Sequence, residues 1–136
     1  MQPSIDLKRV ASDLVSMSSK LLELLGEAAR ESARSPDERL RRDGPDWATE
    51  AAQNITQYRN KLDGALRERD PRGLSYAAGE FAVLARYVND YDYSWFSGHR
   101  ELNDLVGTVH KTAASIVSSI NTFDEENLEK ARRSLL

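Results

Sequence analysis

The feature that most constrains the fold is the spacing of apolar residues near the start of the chain. Apolar side chains recur there at alternating steps of three and four residues: Leu7, Val10, Leu14, Met17, Leu21, Leu24 and Ala28. This spacing places all of them on one side of an α-helix, as in a heptad seam. Further apolar residues between positions 11 and 25 widen the stripe, which predicts a helix that packs against two or more neighbours.

Three later segments repeat this three-four spacing. One follows Gly44-Pro45-Asp46 and ends near Arg69. The next carries apolar residues from Leu74 to Trp95, and the last carries them from Leu102 to Phe123. The sequence contains no alternating run of β-branched residues, so no strand is predicted. The fold class that we predict is therefore all-α, an up-down antiparallel four-helix bundle.

Two short accessory helices are predicted beside the four long ones, at about residues 35–43 and 123–135. Ser35 is the candidate N-cap of the first, which is expected to stop at Gly44. Thr122 is the candidate N-cap of the second, because a glutamate follows it at the spacing of a capping box. Both segments are expected to serve the bundle as connections or covers.

Length and charge define the kind of protein. The chain has 136 residues, of which 40% are hydrophobic and 30% charged, so we predict one domain over residues 1–136. The net charge of −3 provides no general attraction for nucleic acid or anionic lipid. No segment has the length and apolar character of a signal peptide or a membrane span, so we expect a cytoplasmic protein with no membrane partner.

The sequence offers little catalytic chemistry. Cysteine is absent, which excludes disulfides and thiolate metal sites. His99 and His110 fall on nearly the same helical face but three turns, about 16 Å, apart, which is too far to share a metal. No phosphate-binding glycine loop, nucleophile elbow or Glu-x-x-His motif occurs. We therefore assign no catalytic, cofactor-binding or metal-binding residue and expect a non-catalytic protein.

Aromatic residues are concentrated where the third helix should turn into the fourth. Seven of the ten lie between Tyr76 and Phe96. On a helix, Tyr76, Tyr91 and Trp95 lean toward the apolar seam, where rings would close the end of the bundle. Tyr87 and Tyr93 fall to one side of that seam, toward water or a second molecule.

This segment, which we name the acidic-aromatic corner, is the candidate binding site. Tyrosine and tryptophan are enriched at protein interfaces, and the neighbouring carboxylates give the corner a negative potential that would attract a cationic segment. The candidate partner-binding residues are Tyr87, Asp90, Tyr91, Asp92, Tyr93, Trp95, Phe96 and His99. The function predicted from sequence is an interaction module that binds a protein partner here.

Two features favour a homodimer as a further expectation. The fourth helix has unusually small side chains, among them Gly107, Ala114 and Ser118, so that part of its smooth face is a candidate surface for a partner subunit. The first helix, at about 30 residues, is expected to be longer than its neighbours, and its surplus either bends at Gly26 or projects to meet another subunit.

Two other function classes stay open at this stage. One is a small-molecule-binding or enzymatic domain with a pocket near the corner, between Tyr87, Tyr91, Trp95, His99 and His110. The other is weak nucleic-acid binding through the arginines at positions 39, 41, 42 and 59. Asp37, Glu38 and Asp43 stand beside the first three arginines, so a solvated, internally paired segment is favoured over a phosphate site.

Overall fold

A computed structural model describes residues 6–91 and 99–136, and over residues 84–91 it describes the backbone alone. Over these ranges the chain is all-α, as predicted, and contains no strand. The five helices are α1 (Leu7–Ala33), α2 (Glu38–Glu68), α3 (Pro71–Tyr91), α4 (Arg100–Ser119) and α5 (Glu125–Ser134).

The long helices surround a shared apolar interior. Helix α1 packs against α2 and α4, and α3 packs against the same two helices from the other side. The short helix α5 contacts α3 and α1. A helical bundle with an accessory helix therefore accounts for the three-four spacing of apolar residues, because each helix buries one stripe against two neighbours.

The apolar seam of α1 is largely buried, as its spacing predicted. The buried members are Leu7, Leu14, Leu21, Leu24 and Ala28, joined by Ala11 and Leu25. Met17 is only partly buried, and the adjacent Ser18 lies fully inside the core instead. The Ser18 hydroxyl donates a hydrogen bond of 2.7 Å to the Leu14 carbonyl, so the buried polar group is satisfied within its own helix.

Helix α2 corrects the prediction of a separate short helix at 35–43. The helix begins at Glu38, and the Asp37 side chain caps it by accepting from the backbone N–H groups of Arg39 and Leu40. It then continues without interruption to Glu68. Gly44, the predicted stop, is buried within it.

Pro45 lies inside α2 without ending it. Proline cannot donate the backbone hydrogen bond that a helix interior requires. On its other side, the carbonyl of Pro45 accepts a hydrogen bond of 2.9 Å from the Thr49 hydroxyl. With 31 residues, α2 is longer than the 27 residues of α1, so the expectation that the first helix outruns its neighbours is wrong.

The turn between α2 and α3 matches its sequence signals. Arg69 ends α2 in the left-handed conformation with φ of 54°. Pro71 is the first residue of α3, where its missing N–H has no consequence. The Asp70 side chain accepts a hydrogen bond of 3.1 Å from the backbone N–H of Gly73, so Asp70 caps the helix.

The connection from α4 to α5 differs from the prediction. Helix α4 ends at Ser119 and α5 begins at Glu125 with Asp124, not Thr122, as its N-cap. Phe123, which the spacing assigned to the core of the fourth helix, lies in the intervening turn and is 99% exposed. The predicted apolar side of the short helix is buried, through Leu128, Ala131 and Leu135.

The cap at Asp70 gives a stability prediction. A Cβ at Gly73 would stand 2.5 Å from Asp70 Oδ2, so Gly73→Ala must displace the capping carboxylate. We expect the loss of the cap, about 1 kcal/mol, to cancel or exceed the gain in helix propensity. At Gly64 a Cβ would meet nothing within 4 Å, so the matched Gly64→Ala should stabilise the fold by up to about 1 kcal/mol. Urea unfolding followed by circular dichroism measures both. Equal gains for the two variants would show that the Asp70 cap contributes nothing.

Candidate functional site

Most of the acidic-aromatic corner falls outside what the structure describes. Four of the candidate residues lie in the segment that is left out: Asp92, Tyr93, Trp95 and Phe96. Tyr87, Asp90 and Tyr91 belong to the last turns of α3, where the backbone alone is described. The hypothesis that this corner binds a partner therefore stays a prediction, and His99 is the one candidate whose side chain is described.

His99 fastens the start of α4 to α1. Its Nδ1 accepts a hydrogen bond of 3.3 Å from the backbone N–H of Leu102, so the imidazole serves as the N-cap of α4. The side chain is only 12% exposed, and its Nε2 lies 3.9 Å from a carboxylate oxygen of both Glu27 and Glu31 on α1. The geometry is that of a structural cap at a helix junction.

The same hydrogen bond argues against a metal at His99. Because Nδ1 accepts from a backbone N–H, the proton of the neutral ring is on Nε2, the nitrogen that faces the two glutamates. A metal there would need that nitrogen's lone pair. Among the described residues no group of three or more His, Asp or Glu side chains is arranged to hold a metal ion.

Large apolar side chains are exposed on the outside of α3 and α4. Tyr76 and Val83 are each 68% exposed, and Val117 on α4 is 38% exposed. The prediction that Tyr76 leans into the core is therefore wrong. Its ring lies instead near Lys61 of α2, whose Nζ is 5.9 Å from the ring centroid, a cation–π contact at the surface.

These residues belong to one surface, which we name the α3–α4 strip and define as Tyr76, Gly79, Val83, His110, Ala114 and Val117. Two observations place its halves side by side: a Cβ added at Gly79 would lie 4.0 Å from Val117 Cγ2, and His110 Nδ1 is 3.1 Å from the Ala82 carbonyl. The carbonyl can only accept, so His110 donates this bond. Although 30% of the chain is charged, none of these residues is Asp, Glu, Lys or Arg.

Gly107 extends the strip along α4, two turns before Ala114. It is exposed, and a Cβ added there would meet nothing within 4 Å. Glycine inside a helix costs about 1 kcal/mol relative to alanine, and the isolated chain offers no steric reason for that cost at Gly107. Gly64 of α2 is open in the same way, so Gly107 shows only that the α4 backbone is accessible at this point of the strip.

Among the residues whose side chains are described, three sets of charged residues border the strip. On the α2 side, Glu80 accepts from Lys61 at 3.5 Å. On the opposite side, Lys111 is exposed on α4. At one end, Arg72 Nη2 lies 3.1 Å from Glu125 Oε1 of α5. The surface therefore has an apolar centre with a charged rim, the distribution found in protein interfaces.

The sequence predicted half of this surface. The small side chains of the fourth helix, among them Gly107, Ala114 and Ser118, were identified as a candidate docking face, and all three are exposed. The α3 half was missed, because the aromatic content of that helix drew the prediction to its end. A usable signal was the seven-residue spacing of Tyr76 and Val83, which places them two turns apart on one face.

A second concave surface lies between α1 and α2. It is an open groove of about 440 Å³ whose lining includes Leu22, Gly26, Ala29 and Ala52. Two threonine hydroxyls in it already donate to carbonyls of their own helix, at Pro45 and Ala52. Gln53 is the other polar side chain of the lining, whereas a site that orients a small ligand normally has several convergent polar groups. The pocket predicted near the corner lies mostly outside the described residues and stays a prediction.

The arginines of the first turns of α2 are engaged locally. Arg42 Nε donates to Asp43 at 3.1 Å, and this hydrogen bond raises the pKa of Arg42 and lowers the pKa of Asp43. Arg41 donates to the Ser35 carbonyl. The Nε of Arg59 is buried rather than displayed to a phosphate. These contacts favour the solvated, paired segment expected from sequence.

Comparisons with known proteins supply no family for this chain. Neither the protein-family models, nor the curated proteins, nor the solved structures contain a match to it. None of the helices in the described part of the chain has the length and apolar character needed to cross a membrane. The functional argument therefore depends on the surfaces of the molecule itself.

The cap at His99 gives a second stability prediction. His99→Ala should destabilise the fold by about 1 kcal/mol, because the backbone N–H of Leu102 loses its acceptor at a partly buried site. His99→Asn should retain most of that stability, since asparagine is among the best N-caps. Urea unfolding of the two variants separates the roles. An equal loss in both would show that contact with Glu27 and Glu31, not capping, is what His99 contributes.

Proposed function

We propose that this protein is a non-catalytic interaction module that docks an apolar, weakly charged helical surface of a protein on the α3–α4 strip. The observation that carries the proposal is the exposure of Tyr76 and Val83 on a strip whose own residues carry no charge, with Lys61 beside Tyr76 at the α2 margin. Single exposed apolar residues are common, but a contiguous group with a charged rim is characteristic of a contact surface.

The composition of the strip supports a protein partner. Tyrosine is enriched in interfaces because a rigid ring buries a large area at little cost in side-chain entropy. Covering the exposed side chains of Tyr76 and Val83 would remove apolar area from water, at about 25 cal/mol per Å². The partner should itself be weakly charged here, because an unpaired charge buried against this face would lose its hydration without compensation.

The shape of the strip's surface supports a partner that is itself helical. Tyr76 and Val83 stand about 10 Å apart along α3 and form a ridge. Beside this ridge lie the small residues Gly79, Gly107 and Ala114, and we name the line that they follow along the strip the channel. Helices pack by placing the ridges of one into the grooves of the other, and small residues allow the two backbones to approach closely.

The strip also leads toward the predicted corner. Helix α3 continues from Val83 to Tyr91, so a partner lying along α3 in that direction reaches the segment that holds the candidate residues. The corner remains a predicted extension of the docking surface, and the strip is the part of it whose side chains are described.

Site-specific photocrosslinking tests the proposal in the cells that produce the protein. A photoreactive amino acid at Val83 should form a covalent adduct with a protein, whereas the same group at the exposed Asp13 of α1 should not. Introducing Gly107→Arg should abolish the adduct, because the arginine fills the channel from a position where an added Cβ meets nothing within 4 Å. Gly64→Arg, at a position on α2 where an added Cβ also meets nothing within 4 Å, should leave the adduct intact.

Two results would contradict the proposal. One is the absence of any adduct at Val83 above the Asp13 control. The other is an adduct that survives Gly107→Arg, which would mean that the contact does not use the channel. Thermal unfolding of both arginine variants verifies that each keeps the stability of the original chain to within about 1 kcal/mol, as expected for exposed substitutions.

A further inference from the structure

We infer that the partner docked on the α3–α4 strip is a second copy of this chain, related by a two-fold axis that runs parallel to the helices. The inference rests on the proposed function, because it names the partner of the same surface. A two-fold interface must be self-complementary, since each patch meets its own copy. The strip meets this condition in shape and in charge.

The shape condition follows from the two contacts across the seam. Gly79 lies beside Val117 and Ala82 beside His110, so residue numbers rise along α3 as they fall along α4. Along the helix axis, Val83 of α3 therefore lies level with the segment of α4 between Gly107 and Ala114, to within about one helical turn. Rotation about a two-fold axis parallel to the helices does not change the position of any residue along that axis. It therefore places α3 of one copy against α4 of the other.

In this arrangement each ridge meets a channel. Val83 of one copy falls between Gly107 and Ala114 of the second copy, both exposed and small. Tyr76 falls near Ser118 of the second copy, which is also exposed. Val83 would enter the hole that has Gly107 and Ala114 at its ends and His110 and Lys111 at its sides, and the same two contacts occur a second time by symmetry.

The charge condition concerns the two long margins of the strip. Glu80 lies on the α2 side, with a side chain that is 20% exposed and 3.5 Å from Lys61. Lys111 lies on the opposite margin of α4 and is exposed. The two-fold axis exchanges left and right margins, so Glu80 of each copy faces Lys111 of the other at heights that differ by about 5 Å. Complementary charges on the two margins fix the orientation of one copy relative to the other.

The outward faces of α3 and α4 over the full length of both helices, of which the strip is one part, set the strength expected of the dimer. Two helix diameters of about 10 Å and a helix length of about 30 Å give about 600 Å² per copy. The total, about 1,200 Å², is at the lower end of specific interfaces. We therefore expect a reversible dimer with a dissociation constant in the micromolar range, and not a permanent one.

Sedimentation equilibrium of the purified full chain tests the inference. The chain should dimerise at concentrations above about 100 μM and dissociate on dilution below about 1 μM. Lys111→Glu should raise the dissociation constant roughly tenfold, because it sets two pairs of carboxylates against each other. The double variant Glu80→Lys with Lys111→Glu should return most of the lost affinity, since the pairs are then opposite in sign again.

The outcomes separate this inference from the proposed function. A strict monomer at all concentrations, or a dimer that is insensitive to both Gly107→Arg and the charge reversals, overturns the second copy as partner. If crosslinking from Val83 then yields a different protein and remains sensitive to Gly107→Arg, the docking function stands with another partner. If neither self-association nor an adduct occurs, both proposals are wrong. Unfolding of each charge variant provides the control for a damaged fold.

Discussion

Burial of the apolar seam of α1 against α2 on one side and α4 on the other holds the described structure together. Leu14, Leu21 and Leu24 are almost completely excluded from water. Burying one such side chain contributes about 1.5 to 3 kcal/mol. Once α1 has two neighbours, α3 must cover the remaining open side of α2 and α4. This arrangement leaves the outward faces of α3 and α4 uncovered, and the α3–α4 strip is one of them.

The periodic spacing was sufficient to predict the helices and much of the core, because it reports which face of each helix is apolar. The prediction from spacing failed where a single residue gave a signal that its surroundings in the fold overrode. Gly44 and Pro45 were taken as a helix end, yet packing keeps α2 continuous through both. Ser18 was not assigned to the core because it is polar, yet its hydroxyl bonds to the carbonyl one turn earlier. Phe123 matched the spacing but follows the end of α4, so it has no interior to enter.

The candidate surface was harder to predict than the fold. Which outward face stays uncovered depends on how the helices are placed around one another, and spacing along a single helix does not contain that information. Tyr76 shows the difficulty, because an aromatic residue near the seam satisfies a rule for core residues while Lys61 and solvent surround it. The small residues of α4 indicated from sequence alone a smooth outer face, and Gly107, Ala114 and Ser118 are exposed there, while its use by a partner stays a prediction.

Methyl NMR of the valines on a dilution series tests whether the α3–α4 strip contacts a second copy of this chain. We expect the methyl signals of Val83 and Val117 to shift as the protein is diluted, while those of Val10 and Val15 on α1 stay in place. Strip valines with unchanged positions, or equal shifts on α1, would contradict it.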